Sequence, residues 1–169
     1  MAHHITHTIR VNVSASKIWE VLDDFSSIEK TSHAVESSPI LSEIKQGVGT
    51  QRKCNFYDKK SVIEEIISYK DGHSFRIVLS EYSMPMKSIE AEFTVEYVDN
   101  NSCDISMSMD FVVKGSFLGW ILGALLLKPV LTKKVLKSEL IGLAYYTASG
   151  KSVDKSLPSG QEMAEFIQV

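Results

Sequence analysis

The sequence has little that would tie it to covalent, metal or nucleic-acid chemistry. Among its 169 residues are two cysteines, Cys54 and Cys103, with no CxxC and no Cys/His cluster. That spacing excludes a zinc module, and two buried thiols in a reducing cytosol are expected rather than a disulfide. Lysine and arginine number 18 against 21 acidic residues, for a net charge of −3. The electrostatic footprint of a nucleic-acid binder is therefore absent. No Gly-rich phosphate loop, nucleophile elbow or HExxH occurs, so neither cofactor nor metal is expected. The start lacks a basic region followed by an apolar stretch, so no signal peptide is read and the expected location is cytoplasmic. MAHH resembles a tag remnant, but the histidines run straight into a strand pattern and most of them are taken as native.

Long apolar runs are also missing, with one informative near-exception. Phe117 to Leu127 reads FLGWILGALLL, without a charge. As a helix it rises only about 16 Å, whereas a span needs about 20 apolar residues. Either the protein or something it binds must cover that surface.

What is present fits one soluble domain with a real core: 44% hydrophobic and 23% charged residues. Ile5, His7, Ile9, Val11 and Val13 alternate with polar residues, the signature of a half-buried strand. Ser14 or Ser16 can cap the helix that follows, whose stripe is Ile18, Trp19, Val21, Leu22 and Phe25. A second short helix is expected from Ser27 to about His33. Strand-like segments then follow, separated by turn chemistry at residues 46–49, Asp58-Lys59-Lys60, Asp71-Gly72, Pro85 and Asp99-Asn100-Asn101. Regular spacing with short turns argues for an antiparallel meander.

Two strands are the clearest. Ile89, Ala91, Phe93, Val95 and Tyr97 share one face, and Cys103, Ile105, Met107, Met109, Phe111 and Val113 share another. Gly115, Gly119 and Gly123 recur every four residues, which on a helix permits close backbone approach. Pro129 is expected to end or kink the helix one turn back. Leu136, Leu140 and Leu143 then mark a long amphipathic helix to about Tyr146. Residues 1–148 are read as the domain. Residues 149–169 are read as a loose polar tail, with room for a short helix at Glu162–Phe166.

This order, and two stretches in particular, resemble the START-like (SRPBCC) superfamily. The stretches are VNVSASKIWEVLDDFSSIEK and VKGSFLGWILGALLLKPVLTKKVLKSELIGL, the second similar to polyketide cyclase/dehydrase-like members. Many relatives carry a Trp after the second helix, where this chain has His33. The resemblance implies an α+β helix-grip fold: a curved antiparallel sheet of six to seven strands around a long C-terminal helix, with two short helices after strand 1. It also implies a cavity between sheet and helix that holds lipids, hormones or polyketides.

Parity supplies the expected lining. Arg52, Cys54 and Phe56 share a face, as do Phe75, Ile77, Leu79 and Glu81. Phe93, Val95, Met107, Met109 and Phe111 follow, and the helix would add Trp120, Leu122, Leu136 and Leu140. Arg52 and Glu81 are charges on apolar faces and must be paired, solvated or unburied. In an apolar cavity Glu81 would have a raised pKa and could act as an acid or base. Tyr97 could donate a hydrogen bond inside; Tyr57 and Tyr82 point outward by parity. Met84 and Met86 flank Pro85 near the expected cavity mouth. The leading function is non-covalent binding of a hydrophobic small molecule or lipid. The alternatives are a metal-free, aromatase-like cyclase, and a module docking on a membrane or protein through 117–127.

Overall fold

A computed structural model describes residues 2–83, 85–115, 120–121 and 123–168. The period-two segments become β1 (His3–Val11), β2 (Val35–Ser37), β3 (Gln51–Phe56), β4 (Ser61–Lys70), β5 (Ser74–Ser80), β6 (Met86–Asp99) and β7 (Ser102–Val113). With a two-residue β8 (Ile167–Gln168) they form one antiparallel sheet in the order β2-β3-β4-β5-β6-β7-β1-β8. Everything from β2 to β7 is a meander, and β1 closes beside β7 in the register Ile5↔Met109. β1 begins two residues earlier than its aliphatic pattern, because His3 is itself buried, its ring tilted against Phe111 and stacked on Trp120.

The helices after β1 are α1 (Ala15–Asp23), a 3₁₀ turn at Phe25–Ser27, and α2 (Ile28–Thr31). Ser14 occupies the N-cap position of α1, but its hydroxyl makes no cap hydrogen bond and approaches Ser16 Oγ at 3.3 Å instead. α1 is fixed on the sheet by Trp19, whose Nε1 donates to Asp71 Oδ1 at 3.0 Å in the β4–β5 turn.

The long helix α3 covers residues 123–149 and lies in the grip of the curved sheet. Pro129 does not end it. α3 runs as π-helix over Gly123–Leu127, α-helix over Lys128–Leu131, π-helix over Thr132–Leu136 and α-helix over Lys137–Ser149. A proline removes an amide donor and crowds the preceding turn; a wider π turn just before it accommodates both. The close approach expected of the spaced glycines rests, among the described residues, on Gly123. Gly115 sits in a turn at φ +103, Gly119 lies outside the described residues, and only Gly123 is in α3. There a Cβ would collide with the His3 ring and stand 2.9 Å from Val113. The glycine that does set a helix contact is Gly142, where a Cβ would meet the Thr31 carbonyl of α2.

The chain after Gly150 is not loose. Val153 and Met163 are buried, Ser159 caps α4 (Gly160–Met163) with a capping box, and β8 pairs with β1. The two cysteines are buried free thiols. No helix among the described residues is long and apolar enough to cross a membrane.

Candidate functional site

Between the concave face of the sheet and α3 lies a cavity of about 350 Å³. β3 to β7 supply most of its wall, including Cys54, Ile77, Ala91, Phe93, Met107 and Met109. Ile28 and Val35 come from the α2–β2 region, and α3 closes it with Leu131, Val135 and Glu139. Its mouth is marked by exposed lining residues: Asp58, Lys60, Ser83 and Lys134. Among these Lys60 Nζ pairs with Asp58 at 2.6 Å.

A polar cluster interrupts this apolar wall. Arg52 and Glu64 are direct cross-strand partners on β3 and β4. Arg52 Nε and Nη2 both reach Glu64 Oε2, at 2.7 and 2.6 Å. Nη1 donates to the Phe25 carbonyl at 2.6 Å, and the guanidinium lies 3.9 Å from the centre of the Phe25 ring. Burial works against the Arg52 charge, but the attraction of Glu64 outweighs it and holds the pKa above its ordinary value. Burial first, and the Glu64 charge second, push the Cys54 thiol far up, so it stays protonated and is not a nucleophile.

Across the cavity, α3 contributes Glu139. Ser32 Oγ donates to its Oε1 at 2.8 Å. Its Oε2 is shielded from solvent and has no hydrogen-bond partner among the described residues. Burial, reinforced by Glu64 and opposed by Ser32 and Arg52, pushes this carboxyl up to about 7. At neutral pH it is divided between acid and carboxylate, the condition a proton-transfer group needs. His33 also lines the cavity, and its Nδ1 is likewise buried without a partner.

Of the residues expected at the site, eight line the cavity: Arg52, Cys54, Phe56, Ile77, Leu79, Phe93, Met107 and Met109. Phe75, Val95, Phe111, Leu136 and Leu140 are buried but lie outside this lining. Phe75 packs against Trp19, Phe25 and Phe93 at 6.3, 5.8 and 5.4 Å between ring centres, so aromatic side chains from α1 and the following turn fill that part of the grip. Trp120 stacks on His3 at 5.8 Å, away from the lining. Leu122 and Met84 lie outside the described residues, as do Phe117 and Leu118.

Glu81 does not share the cavity face. β5 ends at Ser80, and Glu81 turns at φ +54 with its side chain in solvent. Strand parity fails once the strand has ended. The same turn brings Tyr82 onto the lining, against its parity. Tyr97 is 68% exposed, because the end of β6 runs past the core and the register shifts between Tyr97 and Asp99. Tyr97 Oη bonds Asn100 Oδ1 at 3.1 Å, outside the cavity.

Glu64 and Glu139 went unread in the sequence. Glu64 had a usable signal, since β3 and β4 are joined by a short turn and pairing from Asn55↔Ser61 sets it opposite Arg52. Glu139 had none beyond a lone acid in a lysine-rich helix.

A family model described as "Polyketide cyclase / dehydrase and lipid transport" matches residues 2–144. Among curated proteins none matches the sequence. An uncharacterised protein from Bacillus thuringiensis is similar in structure, with a TM-score of 0.70 and 17% identity over 87% of this chain and 100% of that one. Norcoclaurine synthase from Thalictrum flavum, solved with dopamine and hydroxybenzaldehyde, superposes with a TM-score of 0.66 at 19% identity, covering 90% of each chain. A START superfamily protein from Mycobacterium smegmatis gives 0.66 at 14% identity, over 83% of this chain and 94% of that one. At these identities the likeness concerns the fold.

Proposed function

The chain belongs to the polyketide cyclase/dehydrase and lipid transport family, and on that premise we propose that it binds a hydrophobic small molecule or lipid non-covalently between the sheet and α3. The observation that carries this reading is the 350 Å³ apolar cavity with a small polar cluster at Arg52, Glu64 and Glu139. Pockets for small molecules have this size and this composition. Native mass spectrometry of freshly purified protein tests it: a retained mass is expected, and it is lost in Met107→Arg. Ala91→Phe fills the same space without burying a charge. Ligand retention unchanged in both folded variants would sink the cavity model.

A second reading, cyclase-like catalysis, is favoured by the Glu139 carboxyl at about 7. It moves the acid–base role from Glu81 to Glu139. Glu139→Gln should then lose turnover of a cyclisable substrate while Glu81→Gln keeps it. The reverse pattern would exclude Glu139 as the acid–base group.

A further inference from the structure

We infer that the polar cluster selects ligands whose polar group is an uncharged hydrogen-bond donor, a hydroxyl above all, and that Glu139 is the residue that reads it. The inference rests on the cavity-binding reading above and adds the headgroup to it.

The buried positive charge in the cavity wall, that of Arg52, is already engaged. All three guanidinium nitrogens of Arg52 have protein acceptors, Nε and Nη2 on Glu64 and Nη1 on the Phe25 carbonyl. A ligand carboxylate would have to take Arg52 from Glu64 and leave Glu64 without its counter-charge, an unfavourable exchange inside a protein. An anionic headgroup is therefore disfavoured at this cluster, away from Lys60 and Lys134 at the mouth.

Acceptor capacity, in contrast, is left over. Glu139 lines the cavity, and among the described residues its Oε2 has no partner while Oε1 accepts from Ser32. The last torsion of a glutamate is broad and two-fold, so a small rotation turns an oxygen towards a ligand without moving α3. A buried oxygen without a donor is costly. A ligand hydroxyl removes that cost, and an ether of the same shape does not. An ammonium could also donate, but its full charge would be desolvated against Val35, Ile77 and Met109, with Lys134 on the same lining. The charged and titratable groups around Glu139 are thus Arg52 and Glu64, which compensate one another, the neutral Cys54 thiol, His33, and Lys134.

The test uses the whole chain at pH 8, where the carboxylate predominates, and the neutral fluorophore N-phenyl-1-naphthylamine. It is displaced with a matched set: 4-hexylphenol, 4-hexylanisole and 4-hexylbenzoate. The phenol is expected to displace it at about tenfold lower concentration than the anisole, roughly the worth of one hydrogen bond to a carboxylate. The benzoate should be weaker than the phenol. Glu139→Leu should bring the phenol-to-anisole ratio to about one, and Glu139→Gln, which keeps a carbonyl acceptor, should retain part of the preference. Benzoate binding as tightly as phenol, or an unchanged ratio in Glu139→Leu, overturns the headgroup assignment and leaves the cavity reading standing. Failure of the fluorophore and all three compounds to bind defeats the cavity reading itself. Should Glu139→Leu not fold, the wild-type series and the Gln variant decide.

Discussion

Three side chains, Arg52, Glu64 and Glu139, set the energetics of the polar cluster. Arg52 is 4% exposed and its Glu64 partner 13%. Removing one member of such a pair strands the other, so Arg52→Met should cost about 3–5 kcal/mol in denaturant unfolding. Arg52→Met with Glu64→Leu should recover most of that loss, and no recovery would mean the pair is not the source. Glu139 acts in the opposite sense. Burial raises its carboxyl to about 7 in the folded chain. Between the ordinary carboxyl value and pH 7 the folded state holds a proton that the unfolded state has released, so stability falls as pH rises through that window. The loss is on the order of 3 kcal/mol and is complete above about pH 8. His3 and His7 oppose it: burial lowers both, the unfolded chain binds the extra protons below about pH 6.5, and stability rises with pH there. Melting temperatures from pH 5 to 8 should therefore climb in Glu139→Gln relative to the parent, and superimposable profiles would contradict a buried Glu139.

α3 shows how an element meets constraints its own sequence states only in part. Its Leu136, Leu140 and Leu143 stripe is buried as the leucine spacing requires. Gly142 is demanded by another element, because the Thr31 carbonyl of α2 lies where its Cβ would be. Gly142→Ala should cost about 1–3 kcal/mol by overpacking. Gly160→Ala is the control, with open space at that position. The N-terminal part of α3 faces the other way: Leu125, Leu126 and Val130 are 69%, 59% and 48% exposed. Lys133 and Lys134 stand nearby, and no acidic residue occurs between Asp110 and Glu139. Apolar side chains beside unbalanced lysines suit an anionic bilayer. Co-sedimentation with phosphatidylcholine/phosphatidylglycerol vesicles is expected, and Leu125→Glu with Leu126→Glu should weaken it at least tenfold. Both sites are exposed, so stability should change little; equal sedimentation of parent and variant would remove this surface from consideration.

For the whole molecule, period-two alternation, turn residues and one leucine stripe made the order of strands and helices legible in the sequence, because burial of one face is a local, repeating demand; the helix-grip arrangement was implied by the resemblance of two stretches to the START-like superfamily. The same alternation named the inward faces of β3 to β7 and hence eight of the cavity-lining residues. It could not say where along those faces the space lies. That depended on Trp19 and Phe25 filling one region beside Phe75, contacts between residues 50 or more apart in the chain. Nor did polarity reveal the tail, which docks through buried Val153 and Met163 and through the pairing of β8 with β1. Each side chain fully buried contributes about 1.5–3 kcal/mol, so truncation after Gly150 should lower the melting temperature measurably; an unchanged value would show the tail to be dispensable. The sequence by itself determined the elements, their order and their apolar faces, since these follow from short-range periodicity. Only the tertiary structure decided that Glu81 points to water while Glu139 and Glu64 converge on Arg52, because convergence depends on where a strand ends and what a distant helix brings opposite it.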